Sequence, residues 1–329
     1  MTDFRAELAR LFGEHRTGCA VSLSAFTTFR VGGPAEWFIE ARSTDEIVRA
    51  LTVARAHDVA VTLLGGGSNV LVADSGIRGL VIRPRGGEIR RIEHYVRADA
   101  GVTINGLVRW TILHGAAGLE AWAGTPGTVG GAIFGNAHFG GRLIGEVVTR
   151  VALATREGVV SVVPASDMAF AYDRSRLQDT HEVLLSADFA IRPGDPSALR
   201  QMARQSLAFR KRTQPLDTPS AGCIFQNPDP DRDSVPPDIP WSAGALVDRA
   251  GLKGFRLGGA SVSTTHGNFV VNDGTATASD IQRVIEHCRR TVRDRFGVEL
   301  KEEIVYLGDF SGSSPSRPNQ EVRSPRPGA

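Results

Sequence analysis

The chain has 329 residues, 41% of them hydrophobic and 22% charged, with 37 glycines, a balance that suits a globular enzyme rich in tight turns and excludes a fibrous or disordered chain. Lys and Arg number 38 against 36 Asp and Glu, a net charge of +2, which gives no electrostatic reason for nucleic acid or an anionic membrane and points to a small-molecule partner. No stretch has the roughly 18 uninterrupted apolar residues of a bilayer span, the charged N-terminus has no apolar signal core, and Cys19, Cys223 and Cys288 lack disulfide or zinc spacing, so a cytoplasmic protein of two or three subdomains is expected.

Residues 1–20 read as a helical segment. Ser43 opens S-T-D-E ahead of Ile47, Leu51 and Ala54, a capping box for a helix to about His57. With strands expected at 35–41, 59–64 and 70–73, it forms a small α/β unit, the first subdomain, over 21–80. Between the last two strands lies Gly65-Gly66-Gly67-Ser68-Asn69. Such a bend can aim several backbone N–H groups at one point and let a phosphate reach the main chain. It is neither a P-loop nor a dinucleotide fingerprint, because Val70 stands at the third glycine position and no Lys follows. These glycines turn one strand into another, so a pyrophosphate here would be held without a helix dipole.

Strands at 80–83 and 95–98 and a helix over 103–114, bearing Ile104, Leu107, Val108 and Ile112, lead to a second tract. It runs Gly124-Thr125-Pro126-Gly127-Thr128-Val129-Gly130-Gly131 and continues to Asn136, and no ordinary helix is expected from it. Strands at 147–155 and 183–191 complete a second subdomain over 81–195. A helix capped by Ser197 runs to about Arg212, and the Pro- and Asp-rich stretch 228–240 reads as a surface insertion. A helix near 244–249, strands to Val271 and a helix from Ser279 to Gly297 make a third unit over 196–309. Cys288 falls on the apolar stripe of that last helix, with Ile281, Val284, Ile285 and Val292. The Ser-, Pro- and Arg-rich residues 310–329 are expected to be disordered.

Two glycine tracts flanked by hydroxyl and amide side chains (Ser68 and Asn69; Thr125, Thr128 and Asn136) suit a grip on opposite parts of one large polyphosphate cofactor, and FAD has that size. The eight histidines form no H-x-x-x-H or H-x-H pair, so no metal site is expected, and His138 reads as an ordinary polar loop residue.

Six stretches, TTFRVGGPAEW from Thr27, LLGGGSNVLVADSGIRGLVI from Leu63, GLEAWAGTPGTVGGAIFGNAHFGG from Gly118, GCIFQNP from Gly222, AGALVDRAGLKGFRLGGASVSTTHGNFVVN from Ala243 and GVELKEEIVYLG from Gly297, resemble in content and order the UDP-N-acetylenolpyruvoylglucosamine reductase (MurB) family. The resemblance covers about Ser22 to Gly308. It implies an α+β chain: a two-subdomain FAD-binding region of the vanillyl-alcohol-oxidase (PCMH) type and a C-terminal α+β substrate-binding domain. The short stretch after Tyr172 is similar to type II members. Implied too are a non-covalent FAD gripped by Gly65, Gly66, Gly67, Ser68, Asn69, Thr125, Pro126, Gly127, Thr128, Val129, Gly130, Gly131 and Asn136, NADPH as reductant, and a place in peptidoglycan precursor synthesis; the sequence does not fix the oligomeric state, of which a monomer is favoured.

The implied reaction passes hydride from reduced flavin to C3 of the enolpyruvyl group, giving UDP-N-acetylmuramate. Hydride addition beside a carboxylate builds an enolate-like dianion, which needs a cation near the carboxylate and an acid for C2. The family's acid is a serine in G-S-x-F, and Cys223 stands there; a thiol near its ordinary pKa of about 8.5 would be a better acid than an alcohol. The family's carboxylate falls on Glu303, with Glu302 on the other strand face. Its arginine belongs to Y-R-x-S, but this chain reads Tyr172-Asp173-Arg174-Ser175-Arg176. Arg174, one place late, is the expected cation, with a bulge restoring its position and Arg176 as the second choice. Thr213 replaces a lysine of the family, leaving Arg212 or Lys211 to meet the substrate diphosphate, while Asn227 matches the substrate-binding asparagine. An oxygen-using flavin oxidase of the same fold is the alternative, against which the motifs from Gly222 and Gly297 argue. A non-catalytic flavin- or nucleotide-sugar-binding relative is kept open by the displaced arginine and missing lysine.

Overall fold

The computed structural model describes residues 2–311; the rest of the Ser-, Pro- and Arg-rich tail lies outside the described residues. The helical reading of the N-terminus holds for Thr2–Phe12 only, since Thr17–Ser22 is a strand antiparallel to Pro34–Ala41. Phe4, Leu8 and Phe12 fall on one face of that helix and join Ile47, Ala50, Leu51 and Ala54 of helix Thr44–Ala56 in one buried cluster. Each such Leu, Ile or Phe contributes about 1.5–3 kcal/mol by burial. Ser43 caps the second helix by accepting from Glu46 N–H, but the Glu46 carboxylate turns to the Arg42 N–H at 2.7 Å, one residue outside the expected box. The sheet against which these helices pack runs Thr17–Ser22, Pro34–Ala41, Ile77–Pro84, Val61–Leu63, the last two pairings parallel.

Strand Val70–Val72 does not return to that sheet. It pairs in parallel with Val305–Leu307, from the far end of the chain. The first glycine tract therefore carries the chain from one sheet to another.

The second sheet is wholly antiparallel, in the order Val160–Pro164, Val148–Ala154, Val183–Ala190, Tyr95–Asp99, Ile89–Ile92. Against expectation, the second glycine tract does open a helix, Val129–Phe134, with Thr128 as its N-cap. Burial of Val129, Ala132 and Ile133 in the second core overrides the poor helix propensity of Gly130 and Gly131. Helix Pro196–Thr213 is capped by Asp195, whose carboxylate accepts from Ala198 N–H at 2.8 Å, with proline in the first turn. Its Leu199 and Ala203 sit in that same core, and Ser206 Oγ donates to Ala121 O.

The remaining chain forms helix Ala243–Arg249, a three-stranded antiparallel sheet (Arg256–Leu257, Ala260–Val262, Val270–Asn272) and helix Ala278–Phe296, around a core that includes Cys288 and borrows Phe29, Val31 and Leu71 from the N-terminal unit. Thr277 and Asp280 supply the last helix with a capping box, and Gly297 (φ 70°) closes it. No helix among the described residues is long and apolar enough to cross a membrane.

Candidate active site

The two glycine tracts meet main chain to main chain. A Cβ at Gly65 would stand 2.6 Å from Thr128 Oγ1, one at Gly66 2.6 Å from Gly127 Cα, and one at Gly127 2.7 Å from Ser68 Oγ. Gly67 has φ 64°, and a Cβ there would lie 2.1 Å from Phe26 O. The N–H groups of Gly65 to Ser68 find no acceptor among the described residues, while Gly67 O accepts from Thr28 N–H and hydroxyl. Free donors around a bend with no side chains form a cradle that fits a pyrophosphate, so the residues present suit the FAD expected there.

The second tract spends most of its donors internally, leaving those of Gly127 and Thr128 without an acceptor among the described residues. Val129 N–H goes to Val102 O, Gly130 N–H to Ala100 O, Thr125 N–H to Trp122 O, and Gly131 N–H to the capping Thr128 Oγ1. Val129 is also fully buried. These residues form a wall, and the expectation that Val129, Gly130 and Gly131 grip a cofactor is corrected to this extent: none of their N–H groups is free to donate to it. Asn136 is corrected likewise: fully buried at φ 45°, its amide donates to Ala171 O (2.7 Å) and accepts from Gly145 N–H (2.9 Å). It braces two loops together. Asn69 also turns inward, donating to Glu303 O and accepting from Val305 N–H.

That contact brings the tract to a cluster of ionisable groups. After the turn at Gly222 (φ 77°), Ile224 N–H donates to Asn268 O and Phe225 N–H to Asn268 Oδ1, Asn268 Nδ2 donates back to Phe225 O, and Glu303 N–H donates to Ile224 O at 2.7 Å. Cys223 is thereby held beside Glu303, in the segment that the buried Asn268 side chain clamps. Facing them, the Ala171–Arg174 turn closes through reciprocal backbone bonds of 3.1 Å and puts Asp173 in the left-handed region (φ 53°). Asp173 Oδ1 lies 3.0 Å from His138 Nδ1. Donor atoms of His138, Asp173 and Glu303 all lie within 4.8 Å of one another, a grouping that no sequence spacing announced. The Tyr172 ring packs on His138, on the side of Asn227. Asn227 Oδ1 accepts from Ala243 N–H.

Burial, and then the Asp173 charge, push the Glu303 carboxyl up to about 8, against the pull of His138. The His138 imidazole is raised by its bond to Asp173. Burial pushes the Cys223 thiol up to about 12, Glu303 and Asp173 adding to it, while Arg210 and the Asn268 bond oppose. The thiol is thus a weaker acid than its ordinary range implies, and it keeps its proton throughout the neutral range.

Arg174 does not reach the cluster. Its guanidinium pairs with Asp179 at 2.9 and 3.1 Å and is 58% exposed, because the left-handed turn aims residue 173 inward and residue 174 outward with no bulge to reverse them. Arg176 is committed to Glu182 at 2.8 and 2.9 Å. Arg212 is exposed over the Phe209 ring. Two helix positions earlier, about 200° round, Arg210 is buried: it stacks 3.7 Å from the Phe139 ring centroid and donates to Thr125 Oγ1. Burial lowers it to about 10, and its charge acts on Cys223. Its signal was legible, since Leu199, Ala203, Ser206 and Arg210 trace one helical stripe. For Asp173 the sequence carries no such signal, because its inward aim depends on the left-handed turn.

Comparison with known proteins gives two family matches. Residues 214–307 match the model described as "UDP-N-acetylenolpyruvoylglucosamine reductase, C-terminal domain", and residues 35–163 match "FAD binding domain". The chain is 37% identical over 306 residues to the UDP-N-acetylenolpyruvoylglucosamine reductase of Trichormus variabilis, covering 90% of this chain and 89% of that one. It is 38% identical over 310 residues to that of a Synechococcus strain, covering 93% and 95%. The crystal structure of the reductase from Thermus caldophilus superposes with a TM-score of 0.74 at 30% identity, covering 89% of this chain and 99% of that one.

Proposed function

The chain belongs to the UDP-N-acetylenolpyruvoylglucosamine reductase family, and from that premise we propose that it reduces UDP-N-acetylenolpyruvoylglucosamine to UDP-N-acetylmuramate with NADPH through bound FAD. FAD, when bound, supplies the hydride that it takes from NADPH. The observation that carries the reading is the junction between the glycine cradle and the Cys223–Glu303 pair, made by Asn69.

Gly65 to Ser68 would hold the pyrophosphate on backbone N–H groups, with the Gly127–Thr128 backbone as the opposing wall. Cys223 holds a proton at Sγ, oriented by Asn268, and delivers it to C2 of the reduced enolpyruvyl group. Glu303 lines the same wall and assists at the enolate end. Arg210 adds a buried positive charge, but its bond to Thr125 and stack on Phe139 fix it at the cofactor side, away from the place expected of Arg174 at the substrate carboxylate. Asn227 and Tyr172 border the sugar nucleotide. We place the boundary of the substrate-binding domain after helix Pro196–Thr213, since that helix packs on the second core. The same reading takes the protein as a cytoplasmic monomer.

Anaerobic stopped-flow tests the proposal. NADPH should bleach the flavin, and UDP-N-acetylenolpyruvoylglucosamine should restore its colour without oxygen. A flavin that only oxygen reoxidises would make the protein an oxidase and end the reductase reading.

A further inference from the structure

Relative to the Y-R-x-S pattern, this chain exchanges a guanidinium for a carboxylate at Asp173, and the structure sets that carboxylate against a second one, Glu303, with His138 between. No Lys or Arg pairs with either carboxylate among the described residues; Arg174, Arg176 and Arg210 are engaged with Asp179, Glu182 and Thr125. The Asp173 side chain is only 8% exposed, and its Oδ2 is buried with no hydrogen-bond partner. A buried carboxylate oxygen left unpaired is strongly disfavoured unless a cation meets it.

We propose that His138, Asp173 and Glu303 bind a divalent cation of the zinc class, and that this ion supplies the charge that the family pattern draws from its arginine. One imidazole nitrogen and two carboxylate oxygens are a hard-to-borderline donor set that suits such an ion, and three protein ligands leave a fourth position open. Ligand atoms about 2.0–2.2 Å from a tetrahedral ion stand roughly 3.3–3.6 Å from one another. The donors here, within 4.8 Å, reach that spacing by small side-chain rotations. The three loops are already tied: Asn136 Nδ2 to Ala171 O joins the His138 loop to the Asp173 turn, and Asn69 Nδ2 to Glu303 O fixes the third ligand's backbone. Two carboxylates and a neutral imidazole cancel the ion's charge, so the open position can accept one oxygen of the enolpyruvyl carboxylate and polarise it as a Lewis acid. Binding of the ion stands by itself, whereas this role rests on the reductase reading.

The test is calorimetric titration of the chelator-treated full chain with zinc chloride alone. One ion should bind per chain, and His138→Ala and Asp173→Asn should each weaken it by about tenfold or more. Asn tolerates the left-handed backbone at 173, so that variant should keep its fold and flavin, checked by the flavin spectrum; Asp179→Asn, at the exposed pair, should bind zinc as the parent does. Absence of zinc binding, or affinity unchanged in both ligand variants, overturns the site. In a second arm, chelation should slow anaerobic flavin reoxidation by UDP-N-acetylenolpyruvoylglucosamine at least tenfold, and zinc should restore it. Full turnover after chelation overturns the ion's role. Zinc bound as above, with no reoxidation under either condition, would contradict the reductase reading and leave the metal site standing.

Discussion

The two glycine tracts lie against each other yet use their backbones in opposite ways. The first, Gly65 to Ser68, leaves all its N–H groups without acceptors among the described residues; the second, Gly124 to Gly131, spends most of its own on Asn105, Trp122, Val102, Ala100 and the Thr128 cap and leaves only those of Gly127 and Thr128, which face the first tract. Glycine content alone does not make a phosphate site. What matters is whether the donors are released, and the second tract's glycines serve close approach: a Cβ at Gly127 would strike Ser68.

The contrast breaks most easily at Gly66. Valine there would drive its side chain into the Gly127 backbone, 2.6 Å from where the Cβ begins, and neither tract can yield without opening the cradle. We expect Gly66→Val to lose FAD affinity by about a hundredfold or more, roughly 3 kcal/mol, read as the flavin-to-protein ratio after gel filtration. Retention of stoichiometric flavin would refute the contact.

A change in the reaction cluster should leave the cradle alone. Cys223→Ala should still bind FAD and be bleached by NADPH, while turnover falls about 10²–10⁴-fold, the ordinary contribution of a positioned acid. Cys223→Ser should keep measurable turnover. Steady-state assay beside the flavin spectrum separates the two effects, and parental turnover in the alanine variant would remove Cys223 from the mechanism.

The second sheet, which carries the wall, rests partly on Asp188, whose carboxylate accepts from Arg97 and from Arg150. Those bonds, working against burial, hold it below the usual carboxylate range. A folded pKa below the unfolded value gives stability that is present above the unfolded pKa, about 3.9, and is lost as pH falls through the folded value. Asp188→Asn should therefore lower stability near neutrality by about 1–3 kcal/mol, with the gap to the parent closing below about pH 4. Urea melts at pH 7 and pH 3 measure this; a gap independent of pH would mean that the loss is not one of charge.

The smallest effect is expected at Gly130. A Cβ there meets Ala100 O at 3.2 Å, and the helical propensity gained by alanine, up to about 1 kcal/mol, offsets the squeeze. Gly130→Ala should bind FAD within about threefold of the parent by fluorescence titration. A loss as large as that at Gly66 would show that both tracts serve as donors.

Much of this was legible in the chain. Most strand and helix positions followed from apolar period and from the cap at Ser43, and the glycine tracts, Cys223 and Glu303 stood in motifs that could be read in order. Three features were not. The helix at Val129–Phe134 depends on three apolar residues finding a core, which local propensity argues against. The partner of Val70–Val72 lies more than two hundred residues away, and no local pattern encodes it. The orientation of Arg174 depends on a left-handed residue at Asp173, and motif matching counts positions without seeing backbone direction. Arg210 is within reach of a helical-stripe argument, but Arg212 stands nearer the position of the expected lysine.

The central claim is that the reacting cluster is built around Cys223 and that Arg174 stands outside it. Anaerobic single-turnover reoxidation of NADPH-reduced protein by UDP-N-acetylenolpyruvoylglucosamine, compared in the parent, Arg174→Ala and Cys223→Ala, tests it most directly. Product formation in Arg174→Ala should stay within about twofold of the parent, as for loss of an exposed ion pair, and should fall at least about a hundredfold in Cys223→Ala. The reverse order, with Arg174→Ala inactive and Cys223→Ala unimpaired, would contradict it.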